Sequence, residues 1–484
     1  MALIKTLGYV NRRRFLCATA GAAAVAGSSL TLRRLGAASP DDLVIVVGAG
    51  LAGLRAAELI RRSGRRVLVL EARSVPGGRV RTVRSPFDDE LYGELGPIRI
   101  ADIHATVLQL AKEHGLTVIP FASSNGSAIA KIGEARLRIP EDLERAVWPL
   151  IMKPDERGLT QSALLERYVG ELPRELADPA AETYAAWQGY DRVTWPALLR
   201  SRGASPGAVA LMTLGGDSQA LSGLYVLRQY ALLRAVNQFY KIEGGMGLLP
   251  RAMAATLADV IQYDAPVVRI ERSPRTTKVT YREGGRLKVV AARNLVLAVP
   301  FSTIRQIEID PPFSSEKQQL ISHLPYFAVT RFLLQFRRRF WHRSGLSGAA
   351  RTDRPAEIWD ATYDMEGDAG ILGATLGAAA SNALAHATPE ECVRFGLDLV
   401  EESFPDIRAD FDKGVAHRWA LDPWARGAFA VFYPGQMASM MPLIARAEGR
   451  VSFAGEHTSA WMGWMEGALE SGERAAHEVL DTVA

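Results

Sequence analysis

The chain has only two cysteines in 484 residues, Cys17 and Cys392. That excludes a disulfide-stapled scaffold, so the core has to be held by packing. No metal site is expected. A long apolar run is also missing. The stretch "LCATAGAAAVAGSSLTL" is rich in alanine and glycine and too short for a comfortable membrane span. Acidic residues are absent from residues 1–38, which carry Lys5, Arg12, Arg13, Arg14, Arg33 and Arg34. The basic sequence pI of about 9.0 comes from that end. Beyond it, 51 Lys and Arg face 53 Asp and Glu, a net of −2. The body of the protein gives no charge argument for a nucleic-acid partner, and "QFRRRFWHR" reads as a solvated strand end. There are no internal repeats. What remains is 48% hydrophobic, a soluble globular composition long enough for two or three domains.

The N-terminal segment reads as an export signal. In "NRRRFLC" paired arginines precede Phe15 and Leu16, then come the apolar run and the small residues of "LGAASP". This resembles a twin-arginine signal peptide, which delivers folded, cofactor-loaded proteins out of the cytoplasm. Residues 1–38 are assigned to it, with the twin-arginine export machinery as partner and a periplasmic or secreted destination. Arg33 and Arg34 blur the cleavage site, and an uncleaved basic tail is the other reading. Cys17 would leave with the signal, so no internal disulfide could form.

The most informative stretch is "LVIVVGAGLAGLRAAELIRRSGRRVLVLEARSVPGGRVRT". "LVIVV" is continuous and β-branched, as expected of a strand buried on both faces. It runs into Gly48-Ala49-Gly50-Leu51-Ala52-Gly53, a helix stopped by Gly64, and a second strand ending at Glu71. Gly48 permits the tight turn, Gly50 lets backbone approach a diphosphate, and Gly53 lets helix pack on strand. The diphosphate belongs at the helix N-terminus, and Glu71 is placed to accept hydrogen bonds from a ribose diol. A second glycine pair, Gly77-Gly78, followed by Arg79, can meet the same diphosphate from the other side.

These motifs resemble the flavin-containing amine oxidase family, and within it the L-amino-acid oxidases. "KIEGGMGLLPRAM", "DAPVVRIE", "NLVLAVP" and "VSFAGEHTSAWMGWMEGALESGERAAHEVL" extend the likeness over residues 42–484. The resemblance implies an α/β fold: a Rossmann-type FAD-binding domain, a discontinuous α+β substrate domain and a helical insertion. The segments are 42–95, 236–305 and 446–484 for FAD, 96–139 and 306–445 for substrate, and 140–235 for the insertion. It implies non-covalent FAD, because Ala428 stands where some relatives carry a flavin-linked cysteine. The cofactor contacts carried over are Ala72, Arg73, Gly78, Arg79, Gly96, Pro97, Ile98, Arg99, Val267, Gly455, Glu456, Gly463, Trp464 and Met465. Glu456 would bind the ribityl chain. The helix after Trp464 would face the flavin ring with its positive end.

On the substrate side, Phe429 and Trp464 match the two aromatic residues that flank an amine in the family. Arg99, in "GELGPIRI", matches the arginine that pairs with a substrate α-carboxylate in amino-acid oxidases. A guanidinium suits a carboxylate through two parallel hydrogen bonds. A structural ion pair of Arg99 with Glu94 or Asp102 is the other reading. Arg331 stands where the family has a lysine that holds a water near the flavin, which puts fast reaction with oxygen in doubt. A tyrosine that contacts the carboxylate in relatives is replaced near Trp359 and Asp360.

The function implied is oxidation of an L-amino acid by hydride transfer to flavin N5. The imino acid is then hydrolysed to a 2-oxo acid and ammonia, and oxygen is reduced to hydrogen peroxide. Oxidation of an amine without a carboxylate stays open, as does a flavin-binding electron-transfer partner. The side-chain specificity, the electron acceptor and a homo-oligomer are not readable.

Overall fold

A computed structural model describes residues 42–88, 90–121, 126–139, 148–171, 174–178, 184–354 and 356–481. The export-signal reading lies outside the described residues. No helix among the described residues is long and apolar enough to cross a membrane.

The strand Leu43–Val47 lies at the centre of a five-stranded sheet in the order Ile261–Gln262, Arg66–Leu70, Leu43–Val47, Asn294–Leu297, Val451–Phe453. All of its pairings are parallel. Such a sheet needs cover on both faces. Ile45, Val47, Leu68 and Leu70 join one apolar cluster, while Val44, Val46, Val67 and Val69 join another. On the second face lie the helices Leu51–Arg62 and Met465–Asp481, which pack against one another. They come together closely at Gly472, where a Cβ would fall 2.3 Å from the carbonyl of Ala52. The chain thus folds its last helix against its first described one.

A second, seven-stranded sheet takes its strands from 127–139 and from 330–418. Its central strands are Thr330–Phe336, Gly370–Leu376 and Ala356–Asp360, all antiparallel. One face carries Phe332, Leu334, Ile358, Leu372, Ala374 and Leu376, packed with the helix Pro389–Glu401. The other face carries Arg331, Thr375, Glu357 and Trp359. Residues 160–233 add helices such as Gln161–Val169 and Gly223–Leu233. A four-stranded sheet spans 267–310.

Candidate active site

One cavity of about 530 Å³ runs from the carboxyl ends of the parallel strands to the polar face of the seven-stranded sheet. Its nucleotide end is built by the glycine loop. Gly48 sits at φ +101°, and a Cβ on it would meet the Ala298 carbonyl at 2.9 Å. At Gly53 a Cβ would fall 1.9 Å from the Gly48 carbonyl, so helix and strand touch through glycine. Gly50 differs: a Cβ there would meet nothing within 4 Å, and Gly50 lines the cavity. Gly78, at φ +57°, faces it from the second glycine pair, its hypothetical Cβ 3.5 Å from the Gly50 Cα. Two bare backbones therefore flank open space at a helix N-terminus, a cradle suited to a diphosphate.

Glu71 closes this end. Its carboxylate accepts hydrogen bonds from the Ala49 and Arg73 N–H groups at 2.7 and 2.9 Å. Burial raises its pKa, against the pull of those backbone donors. Arg73 is held by Asp422 at 2.5 Å. Burial alone would push the Asp422 carboxyl up, but His417, Arg73 and the Trp424 N–H more than reverse this and bring it to about 2. Ala72, Arg73 and Val267 also line the cavity.

Glu456 organises the middle. It accepts from Arg79 at 2.6 Å, from the Ala430 N–H at 3.2 Å and from the Gly463 N–H at 2.9 Å. One carboxylate thus joins the second glycine loop, the residue after Phe429 and the turn before the last helix. Gly455, Gly463, Trp464 and Met465 line the wall, as do Gly96 and Pro97. Phe429 and Trp464 both reach the cavity. Phe429 is stacked on Phe327 at 5.5 Å, and the Trp464 indole N–H points to Gln229 Oε1 at 3.3 Å. Trp464 is also stacked on Phe239 and edged by His104. Burial keeps that imidazole neutral, its pKa drawn down to about 4.

Ile98 and Arg99 are not among the residues that line the cavity. Arg99 lies behind its wall, with its guanidinium over Phe239 at 4.9 Å and 3.7 Å from Glu357. Neither of the partners that the sequence offered takes it. Glu94 accepts from Thr82 and the Met246 N–H, and Asp102 accepts from the Asn237 and Gln238 N–H groups. Arg331 does line the cavity. It donates to Thr375 Oγ1 at 2.6 Å and to the Gly96 carbonyl at 3.1 Å. Burial pulls its pKa down to about 10, Glu357 opposes this, and Arg99 adds to it.

Sequence reasoning missed Glu357, Thr375, Asp217 and Gln229, all of which line the cavity. Arg331, Thr375 and Glu357 occupy one row across three strands, since Thr375 pairs with Arg331 on one side and Glu357 on the other. Of the two residues named in "PAEIWDATYD", Trp359 shares this face and lies under Arg331 at 4.9 Å. Asp360 points the other way and accepts the Trp341 indole N–H at 2.9 Å. Period-two alternation in that strand was the signal that would have selected Glu357.

A nucleotide cradle, a buried acid beyond it and an aromatic-walled chamber fit a flavin cofactor. The comparisons agree. The model of the flavin containing amine oxidoreductases matches residues 51–480. YobN of Bacillus subtilis (strain 168), provisionally named an L-amino-acid oxidase, is 31% identical over 462 residues, covering 92% of this chain and 96% of that one. The L-amino-acid oxidase of Demansia vestigiata is 29% identical over 451 residues, 90% of this chain and 86% of that one. Among solved structures, cyclohexylamine oxidase from Brevibacterium oxydans IH-35A superposes with a TM-score of 0.77 at 25% identity, covering 92% and 99%. Putrescine oxidase bound to putrescine gives 0.77 at 22%, covering 91% and 99%. The chain belongs to the flavin-containing amine oxidoreductases, enzymes built on an α/β flavin-binding fold.

Proposed function

We infer that this enzyme oxidises an L-amino acid, converting amino acid, water and oxygen to 2-oxo acid, ammonia and hydrogen peroxide. The observation that carries the reading is the charge on the substrate wall. Arg331 lines that wall and Arg99 stands behind it, 3.7 Å from Glu357, while Glu357 and Glu94 both act on the Arg331 guanidinium. A substrate α-carboxylate can pair with the Arg331 guanidinium in a largely apolar chamber. Phe429 and Trp464 hold the amine carbon between ring faces, a positioning role. The low-polarity surroundings favour the uncharged amine.

The cofactor we propose is non-covalent FAD, with Gly50 and Gly78 at the diphosphate and Glu71 at the ribose. It supplies the two-electron acceptor when bound. Cys392, the only cysteine among the described residues, is buried on the helix behind the seven-stranded sheet and is not among the residues lining the cavity. Acid precipitation should therefore release all the flavin, and colour left in the pellet would refute this. We also propose that the enzyme works outside the cytoplasm, the destination expected from the paired arginines Arg12 and Arg13.

Arg331→Ala tests the substrate class, because Arg331 lines the cavity and Arg99 does not. Losing one member of a partly desolvated charge pair should reduce kcat/KM for amino acids by about 30-fold or more. Decarboxylated analogues should react poorly with the parent enzyme and change little in the variant. Equal losses on both sets would sink the amino-acid reading. Oxidation of an amine without a carboxylate is the second reading, favoured by the acids Glu357 and Asp217 on the wall.

A further inference from the structure

We propose that Asp217 selects substrates that carry a second cationic group, an ammonium or guanidinium, at the far end of the side chain. The inference rests on the amino-acid reading for its substrate class, though not for the role of Asp217. Asp217 follows the helix Pro206–Met212 of the helical segment and lines the cavity. Glu357, the other acid on this wall, is answered by Arg99 and Arg331. Asp217 is not: no ion pair to it is found among the described residues. Among the described residues its one hydrogen bond is a 3.3 Å contact from the Ala379 N–H to Oδ2.

The sheet makes room for this carboxylate. On the strand Gly370–Leu376, Thr375 lines the cavity and Gly373 shares its face under Trp359, and Gly377 just beyond the strand lines the cavity too. A Cβ on Gly373 would fall 2.2 Å from the Trp359 ring, and a Cβ on Gly377 would fall 2.4 Å from the Asp217 Cβ. Thr375 belongs to the row with Arg331 and Glu357. Gly377 is two residues further along, about 7 Å. A substrate whose carboxylate sits at the arginine row therefore meets Asp217 at roughly the reach of a lysine or arginine side chain. A half-buried, unpaired carboxylate lowers its free energy by taking up such a cation, and a neutral side chain there leaves it desolvated and unanswered.

The test compares L-lysine and L-arginine with L-norleucine on the flavin-loaded protein, before and after Asp217→Asn. The asparagine keeps an acceptor for the Ala379 N–H. The parent should prefer the cationic substrates in kcat/KM by about tenfold or more, and the variant should lose that preference while norleucine changes by less than about twofold. The same ratio is expected in the dissociation constants of 6-aminohexanoate and hexanoate, which lack an α-amino group and are measured without oxygen. A parent that prefers norleucine, or a variant that loses activity on all substrates alike or on none, overturns the proposal. Including 1,5-diaminopentane separates the two claims. If the diamine alone is oxidised and Asp217→Asn impairs it selectively, the amino-acid reading falls and the role of Asp217 stands. If neutral amino acids are the good substrates, the reading stands and the role of Asp217 falls.

Discussion

Arg331, which the sequence resemblance sets where a lysine is expected, carries the sharpest consequence for oxygen chemistry. Its guanidinium is fixed by Thr375 and Gly96 and stays cationic even though burial lowers its pKa to about 10. Arginine cannot shuttle a proton as lysine can. Arg331→Lys should therefore speed reoxidation of the reduced enzyme by oxygen in stopped-flow, and equal rates would show that the position does not govern oxygen chemistry. Asp422 gives a prediction in pH. Its native pKa of about 2 lies below the usual value of 3.8. The unfolded chain thus binds the proton first as pH falls. The stability it contributes is present above about pH 3.8 and is lost as pH falls toward about 2. Asp422→Asn should cost about 2 kcal/mol at pH 7 and flatten that acid limb in urea titrations. A variant with the same acid limb as the parent would refute the assignment. At this scale the sequence was only partly legible. Arg331 stood out because its motif is linear. Glu357 and Asp217 did not, because a lone acid in a strand or loop has no meaning until distant residues are brought beside it.

The strand–loop–helix at residues 43–62 was the element most legible in the sequence, since a β-branched run, three glycines and a helical period all fall within one local stretch. The structure separates the roles of those glycines. Gly53→Ala drives a Cβ into the Gly48 carbonyl, and overpacking of that kind costs about 1–3 kcal/mol. Gly50→Ala places its methyl in open cavity. Apoprotein stability should then change by less than about 1 kcal/mol, while flavin affinity falls about tenfold or more. Calorimetry of the apoprotein with a flavin titration distinguishes the two, and unimpaired flavin binding by Gly50→Ala would contradict the cradle. The strand Gly370–Leu376 was legible as a strand but not as a floor. Its small residues at alternate positions have meaning only because Trp359 and Asp217 arrive from other segments to fill the space.

Across the whole molecule, the parallel sheet and the seven-stranded sheet are each assembled from separated segments, and the cavity lies where they meet. The end motifs gave the nucleotide half in advance, because both the first strand and the last helix carry specific glycine patterns. Of the chamber wall, Phe429, Trp464 and Arg331 were legible in advance, whereas Asp217 and Glu357 were not, because they join the helical segment to a strand more than a hundred residues away in sequence. If the N-terminal arginine pair directs export, replacing Arg12 and Arg13 with lysine should strand folded, flavin-loaded enzyme in the cytoplasm. Unchanged periplasmic delivery would refute that reading. The account as a whole stands on the substrate carboxylate, and anaerobic reduction of the purified enzyme tests it most directly. Mixed without oxygen with L-amino acids and with their decarboxylated amines, the flavin should bleach rapidly with amino acids and slowly or not at all with the amines. Bleaching by the amines alone, or by neither set, would contradict it.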